Sequence, residues 1–153
     1  MLRLLYLAVI FAVLSQSLLA APSSPGDVLT DEGREHIRTV LDETKAYAGE
    51  LESLIGKVLP QLPKTPAYDE LHKDLEEYQQ IAKEYHEVKC HCRNKALQFF
   101  EYFSQFVDKY SEEEAETVEE KEAVKLLNDA GLKEIAKLFK DKKDSGYYEY
   151  LSD

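Results

Sequence analysis

Two cysteines, Cys90 and Cys92, are all that this 153-residue chain holds for cross-linking. That is too few for a disulfide-built scaffold, so stability has to come from a packed core. Glycine is scarce as well: there are six, and none sits in a phosphate-cradling loop, which removes nucleotide-binding motifs. Also missing are a nucleophile-elbow sequence and an Asn-x-Ser/Thr acceptor, so neither hydrolase chemistry of that type nor N-glycosylation is expected. No stretch shows strand alternation bounded by turn signals, and no segment repeats at a period of roughly 20–50 residues. Positive charge is in deficit, with 19 Lys and Arg against 30 Asp and Glu, a net of −11. A surface of that sign repels phosphate, so nucleic acid and anionic membranes are poor partners and a basic protein a good one.

What is present begins with MLRLLYLAVIFAVLSQSLLAAPSSPGD. Arg3 precedes the apolar run Leu4–Leu14, and Ala20 and Ala21 are small residues ahead of a Pro/Ser/Gly stretch. This is the layout of a cleaved secretory signal peptide over residues 1–20. Ser15, Gln16 and Ser17 end the run before it reaches the length a bilayer needs. Removing residues 1–20, which hold Arg3 and no acid, leaves a charge of −12. The expected mature protein is extracellular, not membrane-spanning and long enough for one domain with a real core.

Residues 21–29 read as a flexible leader. Thr30 is an N-cap candidate, with Asp31 and Glu32 in the first turn. Ile37, Leu41, Thr44, Ala48, Leu51, Ile55 and Val58 then recur at spacings of three and four, one face of an amphipathic helix. PQLPKTP (60–66) stops it. The strongest periodicity follows through Tyr68, Leu71, Leu75, Tyr78, Ala82, Tyr85, Val88, Cys92, Ala96, Phe99, Phe103, Phe106 and Tyr110. No glycine or proline interrupts it, so a single long helix from about 66 to 110 is expected. Ser111 with Glu114 fits a capping box opening a third helix, with Ala115, Val118, Ala123 and Leu126 or Leu127 inward. NDAG (128–131) interrupts that helix, and Leu132, Ile135, Ala136 and Phe139 mark a short last one. The expected fold class is all-α: an elongated helical bundle of three long helices and one short C-terminal helix after a signal peptide. The single helical domain covers 30–143, and an acidic, Tyr-rich tail covers 144–153.

HEVKCH (86–91) comes close to a zinc-protease signature but has one residue too many between its histidines. On a helix His86 and His91 would diverge by roughly 140° and could not share an ion. His86 and Cys90 share a face, but two ligands do not make a metal site. No metal, cofactor or catalytic residue is assigned. The glutamates of EEEAETVEEKE (112–122) read as a solvated helix face. The expectation is a secreted binding protein, not an enzyme.

Three sets of residues remain as candidates. Phe99, Phe100, Phe103 and Phe106 lie on both flanks of one helix and either pack as core or line a pocket for a small hydrophobic, lipid-like ligand. Tyr147, Tyr148 and Tyr150 stand among acids in DSGYYEYLSD, a setting for tyrosine sulfation in the secretory pathway. Over those ten residues the tail resembles the acidic, tyrosine-bearing tails of some secreted anticoagulant peptides, which implies contact with a basic extracellular protein. The overall plan resembles many unrelated secreted helical proteins, among them cytokines, invertebrate carriers and allergens, and assigns no function by itself. Finally, residues two apart on a helix point about 200° from each other. An unbroken helix therefore buries Cys92 on the stripe and exposes Cys90, which would link two chains in a homodimer or be capped by a small thiol.

Overall fold

The computed structural model describes residues 30–151; the expected signal peptide (1–20), the leader (21–29) and residues 152–153 lie outside them. Within that range the chain is all-α, with no strand. The first helix, α1 (Asp31–Val58), starts where its sequence says: the Thr30 side chain accepts from the Gly33 amide at 3.1 Å, and Asp31 and Glu32 sit in the positive first turn. Its buried face is wider than the expected stripe, because Val40, Tyr47 and Leu54 join Leu41, Thr44, Ala48, Leu51, Ile55 and Val58. The width has a cause: α1 packs against every other helix. Thr44, polar and fully buried, satisfies its hydroxyl by donating to the Val40 carbonyl at 2.7 Å.

Two short 3-10 turns, Leu59–Gln61 and Pro66–Tyr68, carry the proline-rich connection, and Leu62 tucks into the core between them. The second helix, α2 (Asp69–Glu87), then packs closely on α1. A Cβ on Gly49 would stand 3.1 Å from the His86 ring, and one on Gly56 2.9 Å from the Gln79 amide nitrogen. Since 49 meets 86 and 56 meets 79, the two helices run antiparallel, and at both glycines a side chain of α2 lies close over the α1 backbone.

The expected long helix is broken. α2 ends at Glu87 and α3 begins at Arg93 and runs to Lys109. Between them Val88 and Cys92 are extended, with ψ of 128° and 109°. Cys90 is bonded to Cys92, their Cα atoms 5.2 Å apart. A helix would point those side chains to opposite faces, so the bond and a continuous helix exclude each other. Cys90 is therefore not the exposed thiol expected from the sequence, and the link between two chains through it is withdrawn.

The third expected helix also starts later. The Ser111 hydroxyl does accept from the Glu114 amide, at 3.3 Å, but the result is a turn. The helix, α4 (Val118–Asp129), opens at Thr117 with a complete capping box: Thr117 Oγ1 accepts from the Glu120 amide at 3.1 Å while Glu120 reaches back to the Thr117 amide at 2.9 Å. Val118 consequently falls on the first turn and is 75 % exposed, not inward; Ala123, Val124 and Leu127 are the buried set. Gly131, at φ +114°, turns the chain into α5 (Leu132–Asp144), since a left-handed backbone suits glycine. Five α-helices thus replace the expected three long and one short among the described residues. A second turn at Gly146, φ +74°, folds the C-terminal segment back, ending in the 3-10 turn Glu149–Leu151.

Candidate functional site

The exposed segment that joins α3 to α4 is the most strongly charged part of the described chain. α3 closes at Tyr110, whose hydroxyl donates to Asp74 of α2 at 2.5 Å and fixes the end of the helix. From there Glu112, Glu113, Glu114 and Glu116 are carried outward in turns, and Glu122 outward from α4. Val118 projects from the midst of this run. Glu120 is the exception among these acids: its Oε2 accepts the Glu116 and Thr117 amides, both at 2.9 Å, and those backbone bonds hold its carboxyl below the usual range. Glu122 takes a hydrogen bond from the Tyr68 hydroxyl. Glu112 contacts Asn128 at 3.3 Å and Lys133 at 3.7 Å. An open groove of about 310 Å³ runs alongside, between Glu112, Ala115, Lys121 and Val124. The arrangement brings together exposed carboxylates, one exposed apolar side chain and a shallow depression. The sequence reading took these glutamates as a solvated face and missed Val118, because it placed the helix start at Ser111.

The aromatic block is core. Phe103 and Phe106 have no exposure and Phe99 has 2 %. Phe99 lies flat on Tyr85 at 4.9 Å, Phe103 meets Phe139 edge-on at 4.7 Å, and Phe106 packs on Tyr78 and Tyr110 at 5.0 and 4.8 Å. Phe100, half-buried, is covered by Tyr148 at 4.5 Å and Phe139 at 5.3 Å. A groove of about 250 Å³ touches the block; it is bordered by Ile81, Tyr85, Phe99 and Tyr102 and is open to solvent.

Tyr147 and Tyr148 of the tail are packed rather than displayed. Tyr147 is 3 % exposed and Tyr148 is half-buried with its hydroxyl covered. Burial raises the Tyr47 hydroxyl to about 12 and pushes that of Tyr148, beside it, up as well. In this conformation neither Tyr147 nor Tyr148 offers its hydroxyl to a sulfating enzyme. Tyr150 lies in the last 3-10 turn. What seats the tail is a polar cluster that the sequence did not signal. Lys142, 2 % exposed, pairs with Glu43 of α1 at 2.7 Å and lies 4.3 Å above the Tyr147 ring. His36 meets that ring edge-on at 4.9 Å and hydrogen-bonds to the Tyr147 backbone. The Arg93 Nε donates to the Leu151 carbonyl at 2.7 Å, with the Leu151 side chain buried.

His86 and His91 go separate ways, to Glu52 at 3.1 Å and Asp42 at 2.8 Å. Among the described residues no three His, Cys, Asp or Glu side chains gather as metal ligands, and no helix is long and apolar enough to cross a membrane. No protein-family model, curated protein or solved structure matches this chain.

Proposed function

We propose that this chain is a secreted, non-enzymatic protein that binds a basic extracellular protein through the acidic shoulder between α3 and α4. The observation that carries this reading is Val118, 75 % exposed within a run whose Glu112, Glu113, Glu114, Glu116 and Glu122 all face solvent. Charge of one sign steers an oppositely charged partner and sets the on-rate, while an apolar residue inside the charged field supplies contact area once the partner is seated. The tail contributes to this role by closing the fold, with Tyr147 and Tyr148 packed into it.

The test uses an amphipathic lysine-rich peptide as the probe. A shoulder variant, Glu113→Lys, Glu114→Lys and Val118→Asp, is compared with a control that reverses Glu76→Lys and Glu77→Lys, which are exposed on α2. The shoulder variant should weaken binding about tenfold or more, with a flattened salt dependence, and the control much less. Equal losses in both would mean that only net charge acts and would remove the shoulder as a site.

A carrier of a small hydrophobic ligand is the alternative, supported by the groove beside Tyr85, Phe99 and Tyr102. At about 250 Å³ it is smaller than the roughly 300–1,000 Å³ of ordinary ligand pockets. Saturable binding of a fluorescent fatty acid, lost in Tyr102→Ala, would restore that reading.

A further inference from the structure

We propose that the Cys90–Cys92 bond is a thiol–disulfide exchange site that reacts with anionic thiols of the glutathione type. A disulfide encloses a length of chain, and the shorter that length, the less it restrains the unfolded state. This one encloses a single residue, His91. Its chain-entropy contribution is therefore small beside that of the longer loops that structural disulfides close.

Nor does the loop depend on the bond for its place. The Lys45 ammonium donates to the Val88 carbonyl at 2.7 Å. His91 is held by Asp42 at 2.8 Å, and Arg93 holds the Leu151 carbonyl at 2.7 Å. These tethers stand on both sides of the sulfurs and survive opening of the bond. Both cysteines are partly exposed, so a thiol can reach them.

Two features make the site asymmetric and give it a preferred reactant. Cys92 is the N-cap residue of α3, and its side chain caps nothing in the closed form. As a thiolate it would sit at the positive N-terminal end of that helix, which lowers a thiol pKa. Cys90, two residues outside, lacks that support. In addition, residues 88–100 contain no acid, while Lys89, Arg93 and Lys95 flank the sulfurs, and the acid that reaches in from α1, Asp42, is paired with His91. A thiol carrying carboxylates is attracted to such an island.

The chemistry balances with two equivalents of thiol. A thiolate RS⁻ attacks the Cys90 sulfur, the Cys90–Cys92 bond breaks, and Cys92 leaves as the stabilised thiolate, since the lower-pKa sulfur is the better leaving group. A second RS⁻ attacks the R sulfur of the mixed disulfide on Cys90, forming RSSR and releasing the Cys90 thiolate. Both protein thiolates take up the protons given up by the two thiols. The disulfide has gained two electrons and the two reactant thiols have lost them; the reverse steps restore the bond.

The experiment equilibrates oxidised full-length protein in reduced and oxidised glutathione over a roughly hundredfold range of their ratio. Acid quench, alkylation and peptide mass mapping then read the state of each cysteine. The bond should pass from mostly closed to mostly open across that range with far-UV circular dichroism unchanged, and the mixed adduct should map to Cys90. A bond that stays closed throughout, a helix signal that falls as it opens, or an adduct confined to Cys92 would each overturn the proposal. The anion preference has its own readout: Lys89→Glu with Lys95→Glu should slow reduction by glutathione about threefold or more while leaving reduction by uncharged mercaptoethanol unaltered. Equal slowing of both reagents would refute it.

Discussion

Lys142 and His36 show what a buried polar side chain costs and secures. The Lys142 ammonium, taken almost wholly out of water, is held by Glu43 and the face of Tyr147. Removing one member of such a pair leaves the other charge uncompensated. Lys142→Ala should therefore lower stability by about 3–5 kcal/mol, whereas Lys142→Met combined with Glu43→Leu should recover most of it. Urea denaturation of the three proteins checks this, and a double variant as weak as the single would mean that packing, not charge, is at stake. His36 adds a pH dependence. Burial lowers its pKa from the ordinary 6.5, against the opposing pull of the Tyr147 backbone bond and of Glu43. A depressed histidine binds its proton more readily when unfolded, so stability is full above about 6.5 and declines as pH falls through that value. Lys142, also facing the ring, acts in the same direction as burial. Two carboxylates add their own terms: Glu120, held down, gives up its contribution only below its ordinary 4.5, whereas Glu50, raised by burial, gains stability as pH falls and so opposes His36. The denaturation midpoint should drop between about pH 7.5 and about pH 5.5, and His36→Gln should flatten that slope; an unchanged slope in the variant would assign the effect elsewhere.

At the scale of elements, the sequence showed which sides face inward better than it showed where helices stop. The stripe from Leu75 to Phe106 is buried or half-buried as expected, yet it spans two helices. Two half-helices that lean on one core keep the same apolar spacing across a short connection, so periodicity cannot report the break. The signal was the cysteine pair itself: bonded, it forbids a helix at 90–92; unbonded, it permits one. The Phe block was legible as core or as lining, and the packing of Tyr85 and Phe139 onto it decides for core. The cluster of Lys142, Glu43 and His36 was not legible, because its members lie on two helices far apart in sequence and each looks like an ordinary surface residue. Between the rival capping boxes at Ser111 and Thr117, local sequence was nearly neutral. The box at Thr117 wins because a helix begun there delivers Ala123, Val124 and Leu127 to the core with both partners of the box engaged. Thr117→Ala should then cost about 1 kcal/mol and Ser111→Ala only a few tenths, read from thermal melts.

Among the described residues α1 is the element that every other helix leans on, and the connection after it is an exposed proline-rich stretch, with Lys64 and Thr65 in solvent. That arrangement makes the first helix behave toward the rest of the chain as a ligand does toward its receptor. Cut at Lys64, the protein should fall into two pieces that do not separate. The long helix would remain seated in a trough formed by the other four, and size-exclusion chromatography after limited trypsin treatment should show a single peak containing both. Separated under denaturant, neither piece should recover the native circular dichroism alone, and mixing them should restore it at one-to-one stoichiometry. Recovery by the larger piece alone would show that the trough is stable without its occupant. Wherever the chain meets a protease, such complementation means that a nicked chain stays whole in shape after it has ceased to be whole in covalent structure.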